Sequence, residues 1–539
     1  MKQDIADSII RRVERLVAGR STFEAQWQEI AERVIPRQSG TFLAPATDFN
    51  KGEKRTNKMF DSTAALGLER FSAAMESMLT PRNSKWHRLR ATNEYLNRDR
   101  EVALWFEDIN DILFQHRYSP RANYASQQHE IYMSLGAFGT ACMFIDELDT
   151  TGLRYRAVHL GEVFFMENHQ GLIDTCHRKF TMTARQAAQK WDESLLPDNL
   201  MKALNENSDK EFEFIHCVKP REEMDVAKAD YRGMQYASYY VSIEGKKLLS
   251  EGGYQTFPYA ISRYVTAPGE VYGRSPAMLA LPAIKVLNEQ KKTMLKQGHR
   301  VVDPVLLAHD DGVVDSFSLK PGSINYGGVS ADGRRLIQEL PVGNLAAGQE
   351  LMDMERTVIN EAFLVSLFQI LVDSPQMTAT EVLERAREKG ALLSPTMGRQ
   401  QSEALGPMIE REIDLLSRQG LLPDMPPLLV EAEGEFSIEY DSPLSRAQKA
   451  EEASGLFRTI EFATQFSNVT GDPSPFDHID IDEAMPAIMG INAVPERWKR
   501  GEKDIEAVRQ QRAEQAQMQQ LMDAAPSLAS AAKTAGIGE

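Results

Sequence analysis

The strongest constraint on this chain is a pair of long helical patterns separated by a short β-like module, between Tyr272 and Leu371. The first pattern opens at Val271-Tyr272-Gly273-Arg274-Ser275-Pro276-Ala277-Met278 and runs to about Gln297. Gly298-His299-Arg300 follows, then the β-like run Val301-Val302-Asp303-Pro304-Val305-Leu306-Leu307. A polar, glycine-rich insert ends near Pro341, and a second helix is expected from about Leu345 to Leu371. Ser275 is a favoured N-cap, because its hydroxyl can accept from an early N–H. Pro276 fits the first helical position, where a missing N–H costs nothing. Pro282 should kink the helix or delay its regular start, and Gly298 suits the left-handed turn that closes a helix. Such a helix is about 33 Å long at 1.5 Å per residue.

Each helix carries two stripes. The first has Ala280, Ile284, Leu287 and Met294 on one face and Lys285, Glu289, Lys292 and Lys296 on another. The second has Leu351, Met354, Val358, Ala362 and Val365 on one face and Glu350, Asp353, Thr357 and Asn360 on another. Each helix therefore has one face to pack and one to show to solvent. Periodicity alone leaves two readings open: an ordinary antiparallel pair in a core, or a pair lining a channel in a ring of subunits.

Composition narrows the class. A chain of 539 residues, 42% apolar, can build several domains with sizeable cores and no disulfides. Cys142, Cys176 and Cys217 are odd in number, distant in sequence and without metal-binding spacing, so reduced thiols are expected. Met1–Arg20 reads as a charged amphipathic helix rather than a signal peptide. No apolar run reaches the roughly 18 residues of a membrane span, so no membrane partner is expected. The net charge of −17 argues against a protein that grips nucleic acid through an overall basic surface. It remains compatible with a mostly acidic channel in which a few lysines steer DNA.

Enzyme motifs are missing. There is no Gly-x-x-x-x-Gly-Lys-[Ser/Thr] loop; Gly245-Lys246-Lys247 reads as a hairpin turn. Gly273-Arg274-Ser275-Pro276 resembles a nucleophile elbow only faintly; proline removes the N–H an oxyanion hole needs, so a helix cap is the better reading. His309-Asp310-Asp311-Gly312 and Asp477-His478-Ile479-Asp480-Ile481-Asp482 could each hold a cation, but read better as a polar turn and as a capped loop before a helix. No catalytic residue, metal or cofactor is expected.

Along the chain, helices are expected at Met1–Val34, Asp61–Leu79, Asn97–Arg117 and Tyr124–Phe138. Strands are expected at Thr140–Ile145, Arg154–His159, Glu162–Met166, Leu172–Thr181, Phe212–Lys219, Tyr236–Ile243 and Tyr259–Tyr264, interrupted by a helix at Thr183–Trp191. Thr378-Ala379-Thr380-Glu381 is a capping box for a helix that must bend at Gly390, Pro395, Gly398 or Pro407. Phe436–Tyr440 should be extended, and Pro443–Ser467, Ile481–Met489 and Pro495–Gln515 helical. The end of the chain reads as a disordered tail. The fold class expected is α+β, helix-rich.

Five segments in a fixed order carry a resemblance. They are Asp61-Ser62-Thr63-Ala64 leading to Leu79-Thr80-Pro81 and Trp86; Leu135-Gly136-Ala137-Phe138-Gly139-Thr140; Gly171-Leu172-Ile173-Asp174 leading to Thr181-Met182-Thr183; Tyr272-Gly273-Arg274-Ser275-Pro276; and Leu444-Ser445-Arg446-Ala447-Gln448. Together they resemble the portal (head-to-tail connector) proteins of tailed bacteriophages, of the short-tailed podovirus type, over nearly the whole chain. His87 after Trp86 departs from the pattern, since an apolar partner is expected there.

The resemblance implies a wing at 1–273, a first stem helix at 274–299 and a clip at 300–342. It further implies a second stem helix at 343–371, a tunnel loop at 372–377 and a bent wing helix with its connection at 378–443. A crown at 444–500 and a C-terminal helix with a disordered tail at 501–539 complete the map. It implies a non-enzymatic ring of twelve subunits at one capsid vertex of the virion, assembled in the host cytoplasm, that conducts double-stranded DNA in packaging and ejection. Its implied partners are the terminase large subunit, then a tail adaptor protein, and the major capsid and scaffolding proteins. Candidate DNA-channel residues are Lys285, Lys292, Lys296 and Arg300; tunnel-loop candidates are Gln369, Asp373, Ser374, Pro375 and Gln376. The cations could equally pair with acids of a neighbouring copy. The rival readings are a tail adaptor or nozzle ring and, further off, a DNA-packaging enzyme.

Overall fold

A computed structural model describes residues 2–39, 42, 52, 54–148, 151–225, 227–308, 318, 320–341, 343, 345–365, 395–432, 434–441, 443–470, 474, 478–491, 494–501 and 504–519. The chain begins with α1 (Lys2–Gly19), α2 (Ser21–Val34) and α3 (Thr63–Leu79), then β1 (His87–Ala91), α4 (Arg100–Arg117) and α5 (Tyr124–Phe138). A strand-rich region follows: β2 (Thr140–Glu147), β3 (Leu153–Val158), β4 (Val163–Glu167), β5 (Ile173–Thr183), α6 (Ala184–Lys190), α7 (Asp198–Glu206), β6 (Glu211–Pro220), β7 (Tyr236–Ser242), β8 (Lys247–Tyr254) and β9 (Tyr259–Arg263). The two-helix region is α8 (Pro276–Val302), β10 (Leu306–Ala308), β11 (Ile337–Glu339) and α9 (Leu345–Ala362). Then come α10 (Gly406–Arg418), α11 (Pro427–Glu431), β12 (Phe436–Tyr440), α12 (Pro443–Thr470), α13 (Ile481–Ile491) and α14 (504–519). The class is α+β, helix-rich, with every sheet antiparallel. Among the described residues, no helix is long and apolar enough to cross a membrane.

Two compact units form. One joins Met1–Thr80 to Pro120–Leu415; the other joins Pro81–Ser119 to Leu416–Glu539. In the first, β4–β8 make a five-stranded sheet in sequence order, and β3-β2-β9 a three-stranded one. Alternation along β6 sends its two faces to different cores. Ile215 and Cys217 pack under Ala6, Ile9, Ile10 and Val13 of α1. Phe212 and Phe214 pack under Ala184, Ala187, Leu200 and Ala203 of α6 and α7. Burying each larger apolar side chain contributes about 1.5–3 kcal/mol, so the helices on both faces add substantially to what holds this sheet. The sequence reading missed β8 and α7. Lys246 (φ 44°) makes the β7–β8 turn, as the expected hairpin requires.

Met1–Val34 is two helices rather than one, broken at Arg20. That side chain explains the break. It is 3% exposed, lies 3.6 Å above the Phe164 ring, pairs with Glu24 at 2.8 Å, and donates to the carbonyls of Leu160, Gly161 and Val163. Three backbone acceptors fix a cation that would otherwise be too costly to bury.

Residues 395–418 form a continuous helix, widened to a π turn at Gln401–Leu405. In a regular helix the Pro407 ring would strike the carbonyl four residues earlier, and the wider turn relieves that clash. Arg263 of β9 clamps the turn through a two-pronged pair with Glu403 (2.8 and 3.0 Å) and a contact to Glu167. The capping box at Thr378–Glu381 and Gly390 lie outside the described residues.

The second unit pairs β1 with β12 in register His87↔Tyr440 to Ala91↔Phe436. Asp99 caps α4, accepting from the N–H groups of Glu101 (2.9 Å) and Val102 (3.2 Å). His87 finds aromatic partners in place of the expected apolar one. Its ring stacks on Phe114 with centroids 4.8 Å apart, and its Nε2 is 2.8 Å from Arg117 Nη1. A guanidinium only donates, so Nε2 accepts and the imidazole proton sits on Nδ1. Burial first, and Arg117 second, push the His87 pKa well below its usual value and keep the ring neutral.

Candidate channel-lining helices

The site is built from the start of α8. Ser275 caps it, accepting from Met278 N at 3.0 Å and donating to the Ala137 carbonyl at 2.8 Å. Gly273 N donates to Thr140 Oγ1 at 2.8 Å, and Gly139, in the left-handed region at φ 76°, crosses directly beneath it. A Cβ on Gly273 would lie 2.2 Å from the Gly139 carbonyl oxygen, so neither backbone can carry a side chain there. Tyr272 packs its ring on Phe23, Trp27 and Phe165, with centroids 5.2–5.7 Å apart.

From this root α8 continues without a break past Pro282 and Gly298 to Val302. Gly298 does not end it, contrary to the sequence reading. Pro304 disfavours the helical conformation at Asp303, and there the helix stops, with Asp303 N donating to the His299 carbonyl at 2.8 Å. Helix α8 is therefore about 40 Å long. Of the expected β-like run only Leu306 and Leu307 are in a strand, β10, which pairs with β11 in register Leu306↔Glu339.

Ala280, Ile284 and Leu287 are buried as expected, and Asn288 is buried with them. Sequence reasoning passed over Asn288, although a polar residue at the end of an apolar stripe is itself a signal. Its Oδ1 accepts from Phe60 N (2.6 Å) and Asp61 N (3.1 Å), and its Nδ2 donates to the Ile284 carbonyl (2.8 Å). Asp61 in turn accepts from Arg356 of α9 at 2.7 Å and from Thr63 N at 2.9 Å. Burial opposes the Asp61 charge, but these hydrogen bonds outweigh it and hold the carboxyl below its ordinary value.

Past Asn288 no residue of α8 is buried. The packing stripe expected on α9 is also displaced. Met352 and Ile359 are buried, seven residues apart, while Leu351, Met354 and Val358 of the expected stripe are 50–57% exposed and Val365, just past the helix, is buried as expected. A two-helix contact buries only a narrow seam at seven-residue spacing, and the wider stripe flanks it. Helix α9 ends at Ala362, short of Leu371, with Leu364 at φ 57°. Between α8 and α9 lies an apolar groove of about 550 Å³, lined by Val286, Gln290, Met294, Gly348 and Leu351 among others.

The four candidate cations separate into two pairs. Lys285 donates to Glu29 of α2 at 2.9 Å, which holds that carboxyl below its usual range. Lys292 lies 3.7 Å from Glu289 and 5.7 Å above the Phe60 ring. Lys296 and Arg300 are exposed and make no ion pair among the described residues. Gln369, Asp373, Ser374, Pro375 and Gln376 lie outside the described residues, as do His309–Gly312. Asp480 caps α13 through Asp482 N at 2.9 Å, the helix cap the sequence suggested. No group able to hold a metal ion occurs among the described residues.

Comparison with known proteins decides the family. The family described as bacteriophage head to tail connecting protein matches residues 6–498. The chain belongs to that family. The connector chain is 28% identical to the portal protein of Salmonella phage epsilon15, over 99% of its own length and 96% of the relative's. It is also 28% identical to the probable portal protein of Bordetella phage BPP-1, over 95% and 92% of the two chains. It is a portal, or head-to-tail connector, protein of a bacteriophage.

Proposed function

We propose that this connector is one subunit of a closed ring around double-stranded DNA, with α8 and α9 as the channel wall. One observation carries the reading. Past Asn288 no residue of α8 is fully buried, and α9 presents Leu351, Met354 and Val358 to solvent beside it. Apolar surface on a helix pair with no cover in its own chain is what a heterologous ring contact uses, each copy's apolar face meeting a different face of the next. Lys296 and Arg300, without an ion pair among the described residues, are the cations best placed to meet phosphates; Lys285 and Lys292 are held by Glu29 and Glu289.

On this reading 1–273 and 378–443 are the wing, 274–299 and 343–371 the stem, 300–342 the clip, 372–377 the tunnel loop and 444–500 the crown. The clip docks the terminase large subunit during packaging and the tail adaptor afterwards, at one capsid vertex contacting the major capsid and scaffolding proteins. Twelve copies of 60.6 kDa make a ring of about 730 kDa. The test joins two measurements. Native mass and negative-stain images of the purified chain should give the ring, and Lys296→Ala with Arg300→Ala should leave the ring intact while lowering packaged DNA severalfold. A chain that remains monomeric, or a double variant that packages normally, rejects the assignment.

A further inference from the structure

Two cross-strand rows meet face to face in the first unit. In the three-stranded sheet Arg156 of β3 stands opposite Phe144 of β2, and Phe144 opposite Tyr259 of β9. In the five-stranded sheet Arg178 of β5 stands opposite His216 of β6, and His216 opposite Tyr240 of β7. Directly opposed residues share one face of a sheet. The rows join where His216 Nδ1 lies 2.7 Å from the Tyr259 hydroxyl, and His216 stacks on Tyr240 at 4.1 Å.

Beside this junction is a cavity of about 780 Å³, within the usual range for a small-molecule site. Its walls carry four cations, Arg154, Arg156, Arg178 and Lys190, against two carboxylates, Asp146 and Glu147. That is a local positive excess in a chain of net charge −17. The cations are unequally satisfied. Arg178 is paired with Glu162 at 3.0 Å, and Arg154 donates to the Arg121 carbonyl at 2.9 Å. Lys190 rests 3.9 Å above the Tyr240 ring without an ion pair among the described residues, and Arg156 makes neither hydrogen bond nor ion pair among them. Burial first, then Arg178, lowers the pKa of both Lys190 (to about 8) and Arg156. Like charges held together repel one another, and a multiply charged anion removes that repulsion.

We infer that this cleft binds a small phosphate-bearing ligand, with Arg156 and Lys190 taking its oxygens above a floor of Phe144 and Phe180. A guanidinium fork and an ammonium point charge together suit phosphate. The site lies on β2, β3, β5 and α6, away from α8 and α9, and does not depend on the ring.

The test is calorimetric titration of the full-length protein with inorganic pyrophosphate and, separately, with ATP, at low and at physiological ionic strength. Saturable binding near one per chain is expected, weakened about tenfold or more by Arg156→Gln with Lys190→Gln. Both side chains reach solvent from the cleft wall, so the ligand-free melting midpoint should fall by no more than loss of the Lys190–Tyr240 contact accounts for. Arg156→Lys, which keeps charge without the fork, should bind with intermediate affinity. Tighter binding of ATP than of pyrophosphate would extend the site to the aromatic floor. Absence of saturable binding by the unaltered protein, equal binding by the double variant, or displacement by an acidic peptide where pyrophosphate fails would overturn the inference.

Discussion

The two halves of α8 are one unbroken helix with opposite surroundings. Before Asn288 the helix is rooted, with its cap tied to Ala137, its backbone crossed under Gly139, and Ile284, Leu287 and Asn288 buried. After Asn288 it offers Leu295, Val301 and Val302 to solvent at 43–86% exposure. The first half is specified by its own chain. The second has helical backbone bonds and one narrow seam with α9, and lacks the packing that normally makes a helix stable. The difference teaches that a single element can be folded by one set of contacts and completed by another. On the ring reading the missing contacts come from a neighbouring copy.

The largest effect should come from the rooted half. Gly273→Ala would place a methyl 2.2 Å from the Gly139 carbonyl oxygen and force two backbones apart. Overpacking of this kind costs about 3 kcal/mol or more, so a collapse in soluble yield and melting midpoint is expected, and an unchanged midpoint would show that the root tolerates movement. The second substitution breaks the comparison from the other side. Met354→Asp with Val358→Asp, both half-exposed, should leave the isolated chain's stability within about 0.5 kcal/mol. The same pair should abolish the large assembly in native mass measurement. If the rings survive, α9's exposed stripe is not the contact.

The smallest effect concerns Asp61, which ties the rooted half to α9 through Arg356. Its folded pKa is depressed below 3.8, so the stability it contributes is fully present above that value and is lost as pH falls through the lower, folded value. Acid unfolding followed below pH ~4 should therefore be shallower for Asp61→Asn than for the unaltered protein. Identical acid profiles would mean that the Asp61–Arg356 contact adds nothing.

Much of the fold could be read from residues alone. Ser275-Pro276 marked the start of α8, Thr183 the capped start of α6 with Gln186 completing the box, and alternating β-branched residues marked β2 to β7. The misses have physical reasons. Strand β8 contains Gly252-Gly253 and polar residues, so its composition argues against a strand that pairing with β7 nevertheless imposes. Strand β1 is held by β12, more than three hundred residues away, and no local pattern announces such a partner. Of the four channel candidates, the sequence could name the cations and place Glu289 on the face of Lys292, but not that Glu29 of α2 stands beside Lys285.

By itself the sequence determined the presence of the two long helices, the Ser275 cap of the first, most of the strands and the family, because caps, turn residues and periodicity act over a few positions. Only tertiary structure decided which stripe of α9 is buried, where α8 loses its cover, and that Arg156 and Lys190 share one cleft. Those outcomes depend on which distant surfaces meet. A side chain's burial and charge environment are set by neighbours that its own stretch of chain does not encode.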